Sequence, residues 1–288
     1  TTTKITCLMK AYRCLNSLAI SLAFFCFAQT ANAQDECANL DASGYSIHID
    51  TVSQDIGILS GLVGTTDLTG YSCYRLSVVC ETEDDLLQAI AGDINTPTTL
   101  TTTTNFYQSP VGGPMAENVN PLLFPVYPEL TYDSFLSIGL TQQAVASNGE
   151  TAPTLQEDMM AIPISGAFES GGDIIIDSPT GSTWFVADAE NAVNCRAGSD
   201  LKIFFAQLTT NGDIGGLVNF QMFKGGIQDA STCTRPTLTV NAANVPGCDD
   251  PSACNYNPSA TVNDGSCDFC SCADTTYLET VNFPNDSV

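Results

Sequence analysis

Between Tyr45 and Phe223, short apolar or alternating runs recur roughly every ten to fifteen residues, separated by Gly, Pro, Asn and Asp. That spacing is too short for long helices and suits strands joined by turns. "YSIHID" (Tyr45–Asp50) alternates, with Ile47 and Ile49 facing one way and Ser46, His48 and Asp50 the other. Strand signals follow at Tyr74–Val79, Thr98–Tyr107, Ser134–Leu140, Asp173–Asp177, Thr183–Ala187, Leu201–Thr210 and Gly216–Phe223. Asn211-Gly212 between the last two predicts a tight hairpin, because the favoured two-residue turn needs positive φ at both central positions. "SPTG" (Ser178–Gly181) predicts a second hairpin, and "EDDLLQAIAG" (Glu83–Gly92) fits either a short helix or a strand with a loop. The expected class is all-β: an antiparallel β-sandwich or jelly-roll-like domain over 34–240, then a small disulfide-rich module over 241–272.

Two connections are long, Ser109–Glu129 and 144–160. "NVNPLLFPVYPEL" within the first could line a binding edge, but packing across the open end of a sandwich is the simpler reading.

Both ends of the chain read as context. Lys4, Lys10 and Arg13 precede the apolar stretch Leu15–Ala28 and the small-x-small sequence Ala31-Asn32-Ala33, which together form a signal peptide over 1–33 with its natural start at Met9. The apolar stretch falls short of the roughly 20 residues a spanning helix needs. Cys26 lacks the small neighbours of a lipidation site. The protein is expected outside the cell, secreted or on the surface, without a transmembrane segment. Residues 273–288 close on no recognisable element and read as a truncated or linker segment.

All 32 acidic residues follow Ala33, together with only five of the eight basic ones: Arg75, Arg196, Lys202, Lys224 and Arg235. A surface so acidic repels nucleic acid and anionic membrane, since little is available to neutralise phosphates. It favours divalent cations and solubility in salt water.

Ten cysteines follow the leader: Cys37, Cys73, Cys80, Cys195, Cys233, Cys248, Cys254, Cys267, Cys270 and Cys272. An even number in an exported chain reads as structural disulfides rather than as zinc or thiol chemistry. Five precede residue 240 and five follow it, so either one bridge joins body to tail or each half keeps a free thiol. Spacing does not give the pairing.

No catalytic residue is assigned. His48 is the one histidine. Asp50 shares its strand face, but the two positions lie about 6.6 Å apart along a strand. No G-x-S-x-G or H-E-x-x-H motif accompanies them. The acids Glu129, Asp133, Glu157 and Asp158 have no spacing that sets them apart as a glycosidase pair. "ETEDD" (Glu81–Asp85) reads as a solvated or cation-binding loop. The threonines at 101–104 put hydroxyls on both faces of one strand. Ice recognition would need such rows on several strands, so strand packing or O-glycosylation explains them more simply.

The stretch "GCDDPSACNYNPSATVNDGSC" (Gly247–Cys267) is too short to bury a core and must be held by crosslinks or a ligand. Asp249, Asp250, Asn255, Asn257, Asn263 and Asp264 gather hard oxygens of the kind calcium takes, though not at EF-hand spacing. The alternative is that these side chains build turns by bonding to the backbone. With Pro251, Ala253, Cys254, Tyr256, Pro258, Ala260, Gly265, Ser266 and Phe269, the stretch resembles a cysteine module, G-C-x-D-P-x-A-C-N-Y-[ND]-P-x-A-x-x-x-[ND]-D-G-S-C-x-[YF], of secreted and surface multidomain proteins of aquatic bacteria. The resemblance implies an adhesin-type product, often with calcium repeats. One module stands here where such proteins often carry several, which weakens the case for a calcium-stiffened stalk.

The expected function is therefore an extracellular surface or matrix binding and adhesion protein without catalytic activity. Calcium would be its one cofactor, and an extracellular protein or polysaccharide its partner. The alternative is a carbohydrate-binding accessory domain of a secreted hydrolase. That reading calls for an aromatic platform, and Trp184 with Phe185 is the candidate, although "TWFVA" is apolar on both faces.

Overall fold

Alternation within "SCYRLSVV" organises half of the molecule. The computed structural model describes residues 37–240 and, in the cysteine module, 246–248, 250, 252–256, 262–263 and 265–269. Strand β1 spans Ser46–Ser53, β2 Gly57–Ser60, β3 Thr65–Leu68 and β4 Ser72–Val79. Strand β5 spans Leu86–Gly92, β6 Thr98–Thr102, β7 Phe135–Leu136 and β8 Thr154–Gln156. A single helical turn and a half, α1 (Ile164–Glu169), precedes β9 (Ile174–Ile176) and β10 (Ser182–Phe185). Then come β11 (Lys202–Thr210), β12 (Ile214–Phe223), β13 (Cys233–Thr234) and β14 (Thr237–Val240), with β15 (Pro246–Gly247) and β16 (Val262–Asn263) in the module. The all-β, antiparallel class holds.

A four-stranded sheet has the order β1-β4-β11-β7. Tyr74, Leu76 and Val78 on one face of β4 are fully or almost fully buried, in register with Ile47 and Ile49 of β1 and with Ile203, Ala206 and Leu208 of β11. The second sheet is built on β12, which pairs with β5 through Asn219–Phe223 and with β6 through Ile214–Leu217. It pairs with β13 and β14 through overlapping residues. Because Gly216, Leu217 and Asn219 each have two partners, β5 and β6 lie end to end along one edge of β12, and β13 and β14 along the other. Next outward, β10 pairs with β5 and β9 with β6, again end to end. Trp184, Ile90 and Phe220 form one buried row across three strands, and Phe205 of the first sheet meets Phe220 edge-to-face at 5.2 Å between the sheets. This inter-sheet layer is the main core, each large side chain contributing about 1.5–3 kcal/mol by burial.

Two turn expectations are overturned by this topology. Asn211-Gly212 is not a hairpin: β11 and β12 belong to different sheets, and neither residue has positive φ. The segment is an arch between layers, held by hydroxyls. Thr102 and Thr104 both bond Thr210 Oγ1, at 2.8 and 3.0 Å, and Asp213 N–H donates to Thr103 Oγ1. The threonine run thus ends its strand at Thr102 and ties down the arch. Ser178–Gly181 is likewise no hairpin but the break between β9 and β10, seated beside the matching break between β5 and β6, where Ile94 N–H donates to Ser178 O. The ambiguous stretch after Glu83 is a strand. Ser134–Leu140 shortens to the two residues of β7.

The long connection after β6 packs rather than lining an open groove. Ala116, Val119, Leu130, Phe135 and Leu140 form a second apolar cluster joined by Leu123, Phe124, Tyr127 and Phe204. Asn120 caps the Pro121–Leu123 turn by accepting from Leu122 N–H at 3.0 Å. Asp133, fully buried, accepts from Ser109 N–H at 2.7 Å and Gly113 N–H at 3.3 Å and so clasps the start of this segment. Gly112 leaves room for that carboxylate, which a Cβ would strike.

Cysteine pairing divides the chain. Cys37 bonds Cys233 and Cys248 bonds Cys267, and Cys254 is also disulfide-bonded. Contrary to expectation, Cys73, Cys80 and Cys195 are free thiols, all buried. They behave as small apolar side chains: Cys73 and Cys80 stand at opposite ends of β4, too far apart to bridge. Cys270 and Cys272 lie outside the described residues, as do the expected leader over 1–33 and the segment 273–288.

Candidate functional site

A pocket of about 400 Å³ opens on the outer face of the smaller sheet. Asp50 of β1, Ser77 of β4 and Lys202, Ile203 and Phe204 of β11 supply one wall. Gly139, Glu150 and the 193–200 segment supply the other. These residues meet because β1, β4 and β11 are adjacent, so outward positions on three strands share one surface.

Several lining groups are already engaged. Glu150 accepts from Val145 N–H at 2.7 Å, and Asn194 donates to the Ile138 and Thr151 carbonyls. Arg196 donates to the Glu190 carbonyl and stands 3.7 Å from Asp84. Others are uncommitted. Lys202 and Asp200 form no hydrogen bond or ion pair with another described residue, and Ser77 Oγ has no hydrogen bond among them.

Asp50 and His48 correct the strand-spacing argument. His48 Nε2 lies 2.9 Å from Asp50 Oδ1, because side chains at i and i+2 share a face and lean together although their backbones do not. That bond is the main reason the Asp50 carboxyl lies below the usual range, with Lys202 and Arg75 adding attraction. Lys202 also attracts Asp250 of the cysteine module, which places the module within electrostatic reach of the pocket. Strand β16 lies against β1.

The other sequence candidates serve structure. Burial pushes the Asp133 carboxyl up to about 7, against the pull of the Ser109 and Gly113 N–H groups. Glu129 is buried nearby, and both acids push the Tyr107 hydroxyl upward after burial itself. Glu157 accepts from Ser165 N–H and Oγ, and Asp158 from Ser178 Oγ and Met160 N–H. In "ETEDD", Asp85 is not solvated: 1% exposed, it accepts from Tyr45, Thr82, Glu81 and Gly225. Burial works against ionisation, but those bonds hold its carboxyl below the usual range. Trp184 is fully buried with Nε1 donating to Ser137 O at 3.0 Å, so it is core and not a platform.

Of the six proposed calcium ligands, Asp249, Asn257 and Asp264 lie outside the described residues. The other three direct their oxygens at the chain. Asp250 accepts from Ser252 N–H and Oγ, Asn255 from Asp268 N–H at 2.8 Å, and Asn263 from Gly265 N–H at 2.9 Å. That is the turn-building pattern. Among the described residues no group of three or more His, Cys, Asp or Glu side chains is arranged to hold a metal.

Lys202, Asp200, Ser77 and Phe204 carry no local sequence signal; only the pairing of distant strands assembles them. Fold and crosslinks define an all-β, disulfide-bonded protein with two large packed sheets in which, among the described residues, no helix is long and apolar enough to cross a membrane. No protein-family model, no curated protein and no solved structure matches the chain.

Proposed function

We propose that the chain is an exported binding protein of the cell surface or extracellular matrix, acting by adhesion rather than catalysis, with the cysteine module as a crosslinked spacer. The observation that carries this reading is the pocket: Lys202 and Ser77 on the packed sheet and Asp200 on the facing segment, with no hydrogen bond from these side chains to another described residue, as a pre-formed ligand site requires. The disulfides support the oxidising compartment that such a role needs. The acidic surface directs binding away from nucleic acid.

Surface plasmon resonance of the immobilised full chain against polysaccharide and protein fractions of a bacterial extracellular matrix tests this. Saturable retention of one fraction is expected, and absence of retention from both refutes the reading. Calcium enters as a second role of the module. A calorimetric titration without heat at millimolar calcium removes it and leaves the adhesion reading in place.

A further inference from the structure

We propose that the pocket over β4 and β11 takes a neutral sugar unit of a polysaccharide, held between Lys202, Asp50, Asp200 and the Phe204 ring. The proposal rests on the reading of the chain as a binding protein and names the ligand class of its pocket.

The inventory of free groups carries it. Lys202 offers an ammonium that can only donate. Asp50 Oδ2 and the Asp200 carboxylate can only accept, since Asp50 uses Oδ1 for His48. Ser77 can do either. Hydroxyl groups meet all of these at once, giving to a carboxylate and receiving from an ammonium, and each such bond is charge-assisted. Glu150, Asn194 and Arg196 cannot take part without abandoning bonds that hold the 145–151 and 190–196 segments.

Charge narrows the class further. A cationic ligand would meet Lys202, and an anionic one would meet Asp50, Asp200 and a chain of net charge −24. A neutral polyhydroxylated ligand encounters neither repulsion. Exposed Val193 and the outward part of half-buried Phe204, whose ring otherwise packs edge-to-face on Phe135 at 5.9 Å, add an apolar strip beside the polar groups, which suits the C–H face of a pyranose. The volume of about 400 Å³ lies within the roughly 300–1,000 Å³ typical of small-ligand sites.

Affinity electrophoresis of the full chain through gels containing agarose, laminarin, alginate or chitosan tests the assignment. Retardation is expected from at least one of the two neutral polymers and from neither charged one. Lys202→Ala and Asp200→Asn should each weaken it about tenfold, the loss expected for one charge-assisted hydrogen bond. Both variants should keep the unfolding midpoint reported by Trp184, because both side chains stand outside the core. No retardation by either neutral polymer, stronger retardation by alginate or chitosan, or retardation that survives both substitutions overturns the proposal. Matrix retention that persists in those variants would leave the adhesion reading standing and place its site elsewhere.

Discussion

Replacing both Cys37 and Cys233 by serine should lower the stability of the sandwich more than any other change confined to two side chains near its surface. The two residues are 196 apart in sequence, so their bond closes almost the whole body into one loop. Chain-entropy arguments put the constraint on the unfolded state at roughly 5 kcal/mol for a loop of this length. The serine variant can recover part of that. The segment before β1 is otherwise held by Ala38 N–H to Ala230 O, Leu40 N–H to Cys233 O and Thr234 Oγ1 to Leu40 O, so releasing it costs about three hydrogen bonds of ~1 kcal/mol each. The expected loss is therefore about 3–5 kcal/mol, equivalent to roughly 6–20 °C in midpoint for a body of this size. Trp184, the single tryptophan and fully buried, is the natural fluorescence reporter for a urea titration. Opening Cys248–Cys267 instead, which spans 19 residues within the module, should leave the Trp184 transition nearly unmoved. A Cys37/Cys233 variant within about 1 kcal/mol of the parent would refute the claim that this crosslink constrains the whole body.

Three further outcomes follow from the core and its buried groups. Trp184→Ala should cost about 3–5 kcal/mol in urea titrations followed by circular dichroism, since it empties the inter-sheet layer and leaves the Ser137 carbonyl unpaired; a loss under ~1 kcal/mol contradicts the packing described. Asp133, pushed up to about 7 against an ordinary 3.8, binds its proton more tightly folded than unfolded. Its contribution is thus fully present below about pH 4 and is lost as pH rises to 7, by roughly 4 kcal/mol. Asp133→Asn should remove that slope from the difference between variant and parent, whatever constant offset it introduces, and an unchanged slope disproves the assignment. Burial pushes the Cys73 thiol up to about 11 and those of Cys80 and Cys195 to about 12. Iodoacetamide at pH 8 should therefore modify these three only after denaturation, as read by peptide mass mapping; recovery of a crosslinked pair among them contradicts the free-thiol assignment.

Local patterning was enough to recognise β1, β4, β11 and β12, because β1 and the apolar side of β4 alternate while β11 and β12 are apolar runs bounded by turn residues. It was also enough to see that Trp184 suits a core, "TWFVA" being apolar on both sides. Pairing was another matter. Asn-Gly at 211–212 has the composition of a hairpin, yet whether two strands pair depends on which neighbours compete for their edges. Here β4 and β7 claim β11, while β5 and β6 claim β12. The same reasoning applies to Ser178–Gly181, whose flanking strands find separate partners along one lane. In the module, the density of Asp and Asn was visible from composition, but their bonding to Ser252, Gly265 and Asp268 N–H groups was not.

What the chain determined by itself is the class: alternation and turn residues act over a few positions, and an all-β fold needs nothing more distant. Its acidity and cysteine content likewise follow from composition alone. The tertiary structure decided which cysteines pair, which acids are buried and where a ligand could sit. Those are properties of side chains brought together from 50, 77 and 202, and no local period encodes a meeting between residues more than a hundred positions apart.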